Sequence, residues 1–197
     1  MNNIMKKCSF CIDIGTKQIY NNIRKKKEHY SEIMFITMHQ RRRNVKCYKP
    51  EKVNKDLPGI ILLSHGPFAV SLVDTAKMLF GESENIAAYS LEPGDDIDKY
   101  REAFVETINE FPEGSIILVD LFGGTPCNQV MRHIQETEKP LEVVGGMNLP
   151  MLVNAVLARE EMSGKDFSLD TVENGKKGIF RVDTEGFLSD DDDEDDE

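Results

Sequence analysis

His65 and Asp120 are the two side chains whose surroundings best suit them to act together. The apolar run Ile60-Ile61-Leu62-Leu63 leads through Ser64 to His65, and a second run, Ile116-Ile117-Leu118-Val119, leads directly to Asp120. If the two runs are neighbouring strands, about 4.8 Å apart, the imidazole and the carboxylate meet at their ends. A carboxylate holding one ring nitrogen fixes the tautomer and leaves the other nitrogen free as a nucleophile. It also steadies the positive charge that develops when the ring is modified. Gly66 lets a second molecule approach closely. Gly123-Gly124-Thr125-Pro126 adds what a phosphoryl group requires: glycines whose backbone N–H groups can face an anion, Thr125 as a helix N-cap, and Pro126 at the first helical position. Taken singly, a histidine after a strand is most often a surface residue and a Gly-Gly turn only a turn. Their placement at equivalent strand ends favours a site that carries phosphate on His65, oriented by Asp120 and lined by Gly66, Gly123, Gly124 and Thr125.

Positioning these residues requires an alternation of strands and helices, and the hydrophobic pattern supplies one from Leu57 onward. After the first strand, Ala69, Leu72, Val73, Ala76 and Leu79 recur at helical spacing until Gly81. Ile86-Ala87-Ala88-Tyr89 is a second strand. Ile97, Tyr100, Phe104, Ile108 and Phe111 share a helical face that ends at Pro112 and Gly114. The run 116–119 is wholly apolar, as a strand covered on both faces should be. Val130, Met131 and Ile134 lie on a helix, Leu141, Val143 and Val144 on a fourth strand, and Leu152, Val153, Val156 and Leu157 on a helix opened by Pro150. Ile179-Phe180-Arg181-Val182 is expected to add a short C-terminal edge strand. The fold class is therefore α/β: a doubly wound, mostly parallel sheet of four strands plus that edge strand, with helices on both faces. Ligands of such sheets bind beyond the carboxyl ends of the strands, where the strand order reverses.

Charge divides the 197 residues into three parts, hidden inside a formal net charge of −11. Residues 1–56 hold 14 Lys/Arg against 5 Asp/Glu and are expected to be a poorly ordered basic extension. Residues 57–185 form the folded domain. Residues 186–197 end in eight consecutive acidic side chains, Asp190 to Glu197, and are expected to be a disordered tail. No apolar run approaches the ~20 residues of a membrane span, and Asp13 and Lys17 interrupt any signal-peptide core. A cytoplasmic location is expected. Cys8 and Cys11 form a C-x-x-C pair, but His29, His39 and Cys47 stand too far downstream for the paired spacing that zinc prefers, so free thiols are the expected reading.

Several blocks also resemble a known family. Ser64-His65-Gly66 with Phe68-Ala69, Thr75-Ala76-Lys77-Met78, Gly81-Glu82-Ser83-Glu84-Asn85, Pro93-Gly94, Leu118 through Asn128, and Gly146 through Leu152 are similar, in the same order, to the mannose-family enzyme IIA of the bacterial phosphoenolpyruvate-dependent sugar phosphotransferase system. The resemblance implies a phosphocarrier. The histidine at the position of His65 would accept a phosphoryl group from HPr and pass it to a histidine of the IIB component, which serves the IIC/IID membrane complex. Asp120 would orient that histidine, and the Thr125 hydroxyl would lie beside the phosphoryl group. The resemblance also implies a homodimer in which residues 178–182 cross to the partner. Neither a metal nor a cofactor is called for.

Alternatives to transport are a regulatory module that reports phosphorylation state and the related phosphotransferase subunit of dihydroxyacetone kinase. Nucleic acid is disfavoured as a partner, because the basic extension lacks a binding fold and residues 57–189 carry 10 Lys/Arg against 22 Asp/Glu. Other tempting residues have structural readings. His133 is expected on an exposed helix face. Cys127 is expected to be a small packed residue, in a first helical turn where a thiol pKa can fall. Asp95, Asp96 and Asp98 are expected to complement a helix dipole rather than hold a metal.

Overall fold

The apolar runs become the centre of a sheet. The computed structural model describes residues 45–184. In chain order they form β1 (Lys46–Tyr48), β2 (Ile60–His65), α1 (Phe68–Phe80), β3 (Ile86–Leu91), α2 (Ile97–Glu110), β4 (Ile116–Val119), α3 (Thr125–Thr137), β5 (Glu142–Gly145), α4 (Leu149–Ala158) and α5 (Gly164–Lys177). The sheet runs β1-β3-β2-β4-β5. β2 pairs in parallel with β3 on one side and with β4 on the other, β4 pairs in parallel with β5, and β1 lies antiparallel on β3.

Alternation along the strands builds two cores. Ile60, Leu62, Ala88, Leu118 and Val144 face one way and meet Ala69, Val73 and Ala76 of α1, Leu152 and Ala155 of α4, and Phe167 of α5. Ile61, Leu63, Ala87, Tyr89, Ile117 and Val119 face the other way and meet Tyr100 and Phe104 of α2 and Cys127 and Val130 of α3. Both faces are covered, which is why β2 and β4 read as unbroken apolar runs. Each buried Ile or Leu contributes about 1.5–3 kcal/mol relative to exposure.

Connectivity then decides where a site can lie. The chain leaves β2 for β3 on one side, returns across the sheet and enters β4 on the other. The strand order therefore reverses between the carboxyl ends of β2 and β4, the ends that carry His65 and Asp120, and it is beyond such ends that sheets of this kind bind their ligands.

Three features differ from the sequence reading. The fifth strand is β1, inside the stretch assigned to the basic extension. Residues 179–182, expected as an edge strand, pair with no strand among the described residues. Gly178 ends α5, and Ile179, Phe180 and Val182 are exposed. β1 escapes pattern reading because it is three residues long, half polar and an edge strand. It is held from outside the sheet: Lys77 Nζ lies 4.0 Å from the Tyr48 ring centroid, and Lys49 pairs with Glu106 at 2.7 Å.

Helix α5 carries no signature in the hydrophobic pattern. Its buried positions are Phe167, Ser168, Thr171 and Gly175, so its inward face is written mostly in small and polar residues. A Cβ on Gly175 would sit 2.6 Å from Met151 Cε, and that close approach is how α5 packs on α4. Finally, His133 is buried rather than exposed, at 6%. Burial and then the neighbouring Arg101 charge hold its pKa below the ordinary histidine value. Cys8, Cys11, His29, His39 and the acidic run 190–197 lie outside the described residues.

Candidate functional site

His65 is the last residue of β2, and Asp120 follows the last residue of β4. The ladder that pairs Leu63 with Val119 extends one step further, with the Asp120 N–H donating to the Leu63 carbonyl at 3.2 Å. That register delivers the carboxylate to the histidine. Asp120 Oδ2 accepts from the His65 backbone N–H at 2.8 Å and pairs with His65 Nδ1 at 2.9 Å, while Oδ1 accepts from the Leu121 N–H at 2.7 Å.

The consequences are electrostatic and tautomeric. Asp120 is largely buried, which opposes its charge. The ring and backbone donors of His65, together with the Leu121 N–H, outweigh that penalty and hold its carboxyl below the ordinary aspartate pKa. An ionised acceptor at Nδ1 requires Nδ1 to carry the proton, so the Nε2 lone pair is left open. The His65 side chain is 42% exposed against 16% for Asp120: the acid is enclosed and the imidazole presented.

The turn after Asp120 closes against the ring. A Cβ on Gly124 would lie 2.6 Å from His65 Cε1 and 3.4 Å from Nε2, so only glycine lets the backbone lie this close to the imidazole. Gly123 has φ +76°, a left-handed conformation that favours glycine. The helix cap falls one residue earlier than expected: Gly124 is the N-cap of α3, Thr125 is its first residue, and Pro126 sits in the first turn. The glycine takes the cap because its extended backbone and the 2.9 Å bond from the Asn128 N–H to its carbonyl already begin the helical ladder.

On the other side of the ring, Gly66 has φ +59° and α1 begins at Phe68. Two helix N-termini, with their partial positive charge, therefore start beside one histidine. His65, Gly66, Asp120, Gly123, Gly124 and Thr125 all belong to these two neighbouring strand ends and the turns that follow them.

Two polar residues went unassigned in the sequence. Ser64 Oγ accepts from the Ala69 N–H at 2.7 Å and donates to the Gly66 carbonyl at 3.3 Å, stitching the β2–α1 turn. Asn128 Nδ2 donates to the Gly123 carbonyl at 3.0 Å. Only the Gly-Gly turn four residues upstream hints at the second. The remaining candidates are structural. Cys127 is 1% exposed, and its burial pushes the thiol pKa up instead of down. Asp96 caps α2, accepting from the Asp98 and Lys99 N–H groups at 3.0 and 3.2 Å. Among the described residues no three His, Cys, Asp or Glu side chains gather as a metal site, and no helix is long and apolar enough to cross a membrane.

Comparison with known proteins gives this geometry a context. The family model EIIA-man, described as the PTS system fructose IIA component, matches residues 59–172. The chain belongs to the EIIA-man family. That span includes β2, the turn after β4 and most of α5, and it starts after β1. This EIIA chain is 33% identical over 109 residues to the PTS system fructose-specific EIIA component of Bacillus subtilis, a match covering 54% of this chain and 74% of the relative. It is 34% identical over 125 residues to the PTS system mannose-specific EIIAB component of Escherichia coli K12, covering 61% of this chain but only 38% of that longer protein. Its fold is similar to the crystal structure of a phosphotransferase system component EIIA from Streptococcus agalactiae, with a TM-score of 0.58, 28% identity, and coverage of 64% of this chain and 97% of that one.

Proposed function

We propose that this EIIA chain carries its phosphoryl group on Nε2 of His65, between HPr as donor and a IIB component as acceptor, in sugar uptake. Family membership supports the phosphocarrier role. The observation that carries the residue assignment is the 2.9 Å pairing of Nδ1 with Asp120 beneath an open Nε2.

In the forward step the Nε2 lone pair forms a bond to phosphorus as the donor's bond to phosphorus breaks, and the electron pair of that bond leaves with the donor. The His65 ring becomes cationic with Nδ1 still protonated, and ionised Asp120 balances the charge without taking the proton. The second step repeats the exchange in reverse, with the acceptor's nitrogen lone pair attacking and Nε2 leaving. Positioning and charge stabilisation do most of the catalytic work in such transfers. The N–H groups that open α3, the Gly66 turn and the Thr125 hydroxyl are assigned to the phosphoryl oxygens.

The chemistry is assigned to residues 57–185, with the basic stretch 1–56, whose last part includes β1, and the acidic stretch 186–197 as additions. A homodimer accompanies this reading. Ile179, Phe180 and Val182 are 77%, 74% and 55% exposed, a β-prone apolar segment suited to pairing with a second copy. The proposed place of action is the cytoplasm, beside the permease.

The test is transfer of label from phosphoenolpyruvate through enzyme I and HPr. The expected product is one acid-labile, base-stable phosphate per chain, absent from His65→Ala. Equal labelling of that variant and the wild type would remove His65 from the mechanism.

A further inference from the structure

We propose that β1 is an edge guard: anchored by Tyr48 and Lys49, it occupies the outer edge of β3 and keeps that edge from pairing with β3 of a second copy of this chain. The guard does not depend on the phosphohistidine reading. The proposed dimer enters only as the size at which assembly stops.

β3 is the strand at risk. It reads Ile86-Ala87-Ala88-Tyr89-Ser90-Leu91, six residues without a charge, a glycine or a proline. Its inner side pairs with β2 along its whole length. Its outer side carries a row of backbone N–H and C=O groups, and on a long uncharged strand such a row is a template for another chain. β1 lies antiparallel on that row, with Lys46 opposite Ser90, Cys47 opposite Tyr89 and Tyr48 opposite Ala88. The edge turned outward is then β1 itself, three residues long, with Lys46 and Lys49 along it and Pro50 behind them. Short length, lysine and proline are the features that stop an edge from recruiting a further strand.

Three residues of ladder make a weak strand, and side chains on both faces of the sheet hold it. On the α1 side, the Tyr48 ring takes the Lys77 ammonium at 4.0 Å, and its hydroxyl donates to Glu82 Oε2 at 3.2 Å. On the α2 side, Lys49 Nζ pairs with Glu106 at 2.7 Å and lies 5.8 Å from the Tyr89 ring centroid. Neighbouring residues of an extended chain point to opposite faces, so this pair grips the sheet from both. Tyr48 is half-buried and Lys49 exposed, which allows both to be changed without opening either core.

Closing one edge also limits assembly. The outer strands of the sheet are β1 and β5. A sheet with two receptive edges can add copies without end, whereas one receptive edge closes on itself as a two-fold pair. With β1 in place only the β5 side is left to receive a strand, so association ends at two copies.

The experiment compares the full-length chain with the double variant Tyr48→Ala/Lys49→Ala. Sedimentation velocity over a concentration series gives the mass, and hydrogen exchange at the lowest concentration reads the amides of residues 46–48 and 88–90. Wild type is expected to reach a limiting mass, that of the dimer. In the variant the β1–β3 amides should exchange at least about tenfold faster. Its mass should keep rising with concentration, past about twice the wild-type limit. Faster exchange with the wild-type mass would overturn the guard, because the bare β3 edge then recruits nothing. Unchanged exchange would overturn it too, because Tyr48 and Lys49 would not be what anchors β1. Should the double variant lose its cooperative thermal transition, Lys49→Gln alone keeps the ring anchor and is read the same way, with smaller shifts in the same directions expected. Wild-type protein that stays monomeric would refute the dimer reading alone, since the guard predicts growth past the wild-type mass in either case.

Discussion

The two ends of the sheet are built from similar polar residues and do opposite things. At the amino ends of the strands, Asn85 is fully buried: its Oδ1 accepts from the Asn54 N–H at 2.9 Å, and its Nδ2 donates to the Asn54 carbonyl at 2.6 Å and to the Leu57 carbonyl. Ser115 Oγ accepts from the Gly59 N–H at 2.7 Å and donates to the Pro112 carbonyl at 2.6 Å. Arg159, 3% exposed, donates to the Glu84 carbonyl and Ser83 Oγ at 2.7 and 2.6 Å. Each of these side chains fastens a loop to its neighbour. At the carboxyl ends the Asp120 carboxylate is also fully engaged, but its partner keeps one exposed nitrogen in reserve. Apolar Phe68, Leu121 and Phe122 stand exposed around it at 41%, 48% and 69%. Polar residues that close their bonds locally hold the fold together, whereas the other end leaves one imidazole nitrogen open, as the proposed transfer requires.

The contrast can be broken most severely at Asp120. Asn in its place offers one carbonyl oxygen and an NH2 group to three donors, so the Nδ1 proton is no longer demanded and the ring can move its proton to Nε2. Asp120→Asn should slow phosphoryl uptake by at least about a hundredfold while the chain remains folded, read by rapid-quench labelling alongside circular dichroism. A fall of less than threefold would mean that the carboxylate does not set the tautomer.

At the opposite end, Asn85→Ala should act on stability alone. It leaves the Leu57 and Asn54 backbone groups short of partners, and each unsatisfied buried group costs about 1–3 kcal/mol. The midpoint of chemical denaturation should drop accordingly, with the transfer rate per folded molecule unchanged. A loss of rate without a loss of stability would erase the division between the two ends.

The smallest effect concerns pH. The folded-state pKa of Asp120 is lowered, so its stabilising contribution is complete above the ordinary aspartate value of about 3.9 and disappears as pH falls through the lowered one. Thermal midpoints taken between about pH 5 and pH 3 should therefore fall more steeply for wild type than for Asp120→Asn. Parallel curves would show that the carboxylate is not specially stabilised by folding.

Legibility in the sequence followed physical cause. β2 and β4 could be read because burial on both faces leaves their apolar runs unbroken, and the meeting of His65 with Asp120 followed from placing those runs side by side. Helix α5 could not be read, because Ser168, Thr171 and Gly175 occupy its inward face where aliphatic residues would have marked the period. β1 was lost among lysines and arginines. His133 was misjudged because its burial comes from packing that its own helix does not announce. Ser64 and Asn128 were named only as parts of motifs, since a side chain that binds backbone a few residues away leaves no trace in composition.

The carboxylate that grips both the backbone N–H and the ring of His65 also fixes the direction in which Nε2 points. A single rigidly aimed nitrogen, if it carries the phosphoryl group as proposed, offers one docking pose for donor and acceptor to occupy in turn. On the proposed assignment of the phosphoryl group to His65, the chain would work as a turnstile, and an excess of either partner should compete with the other for the same seat.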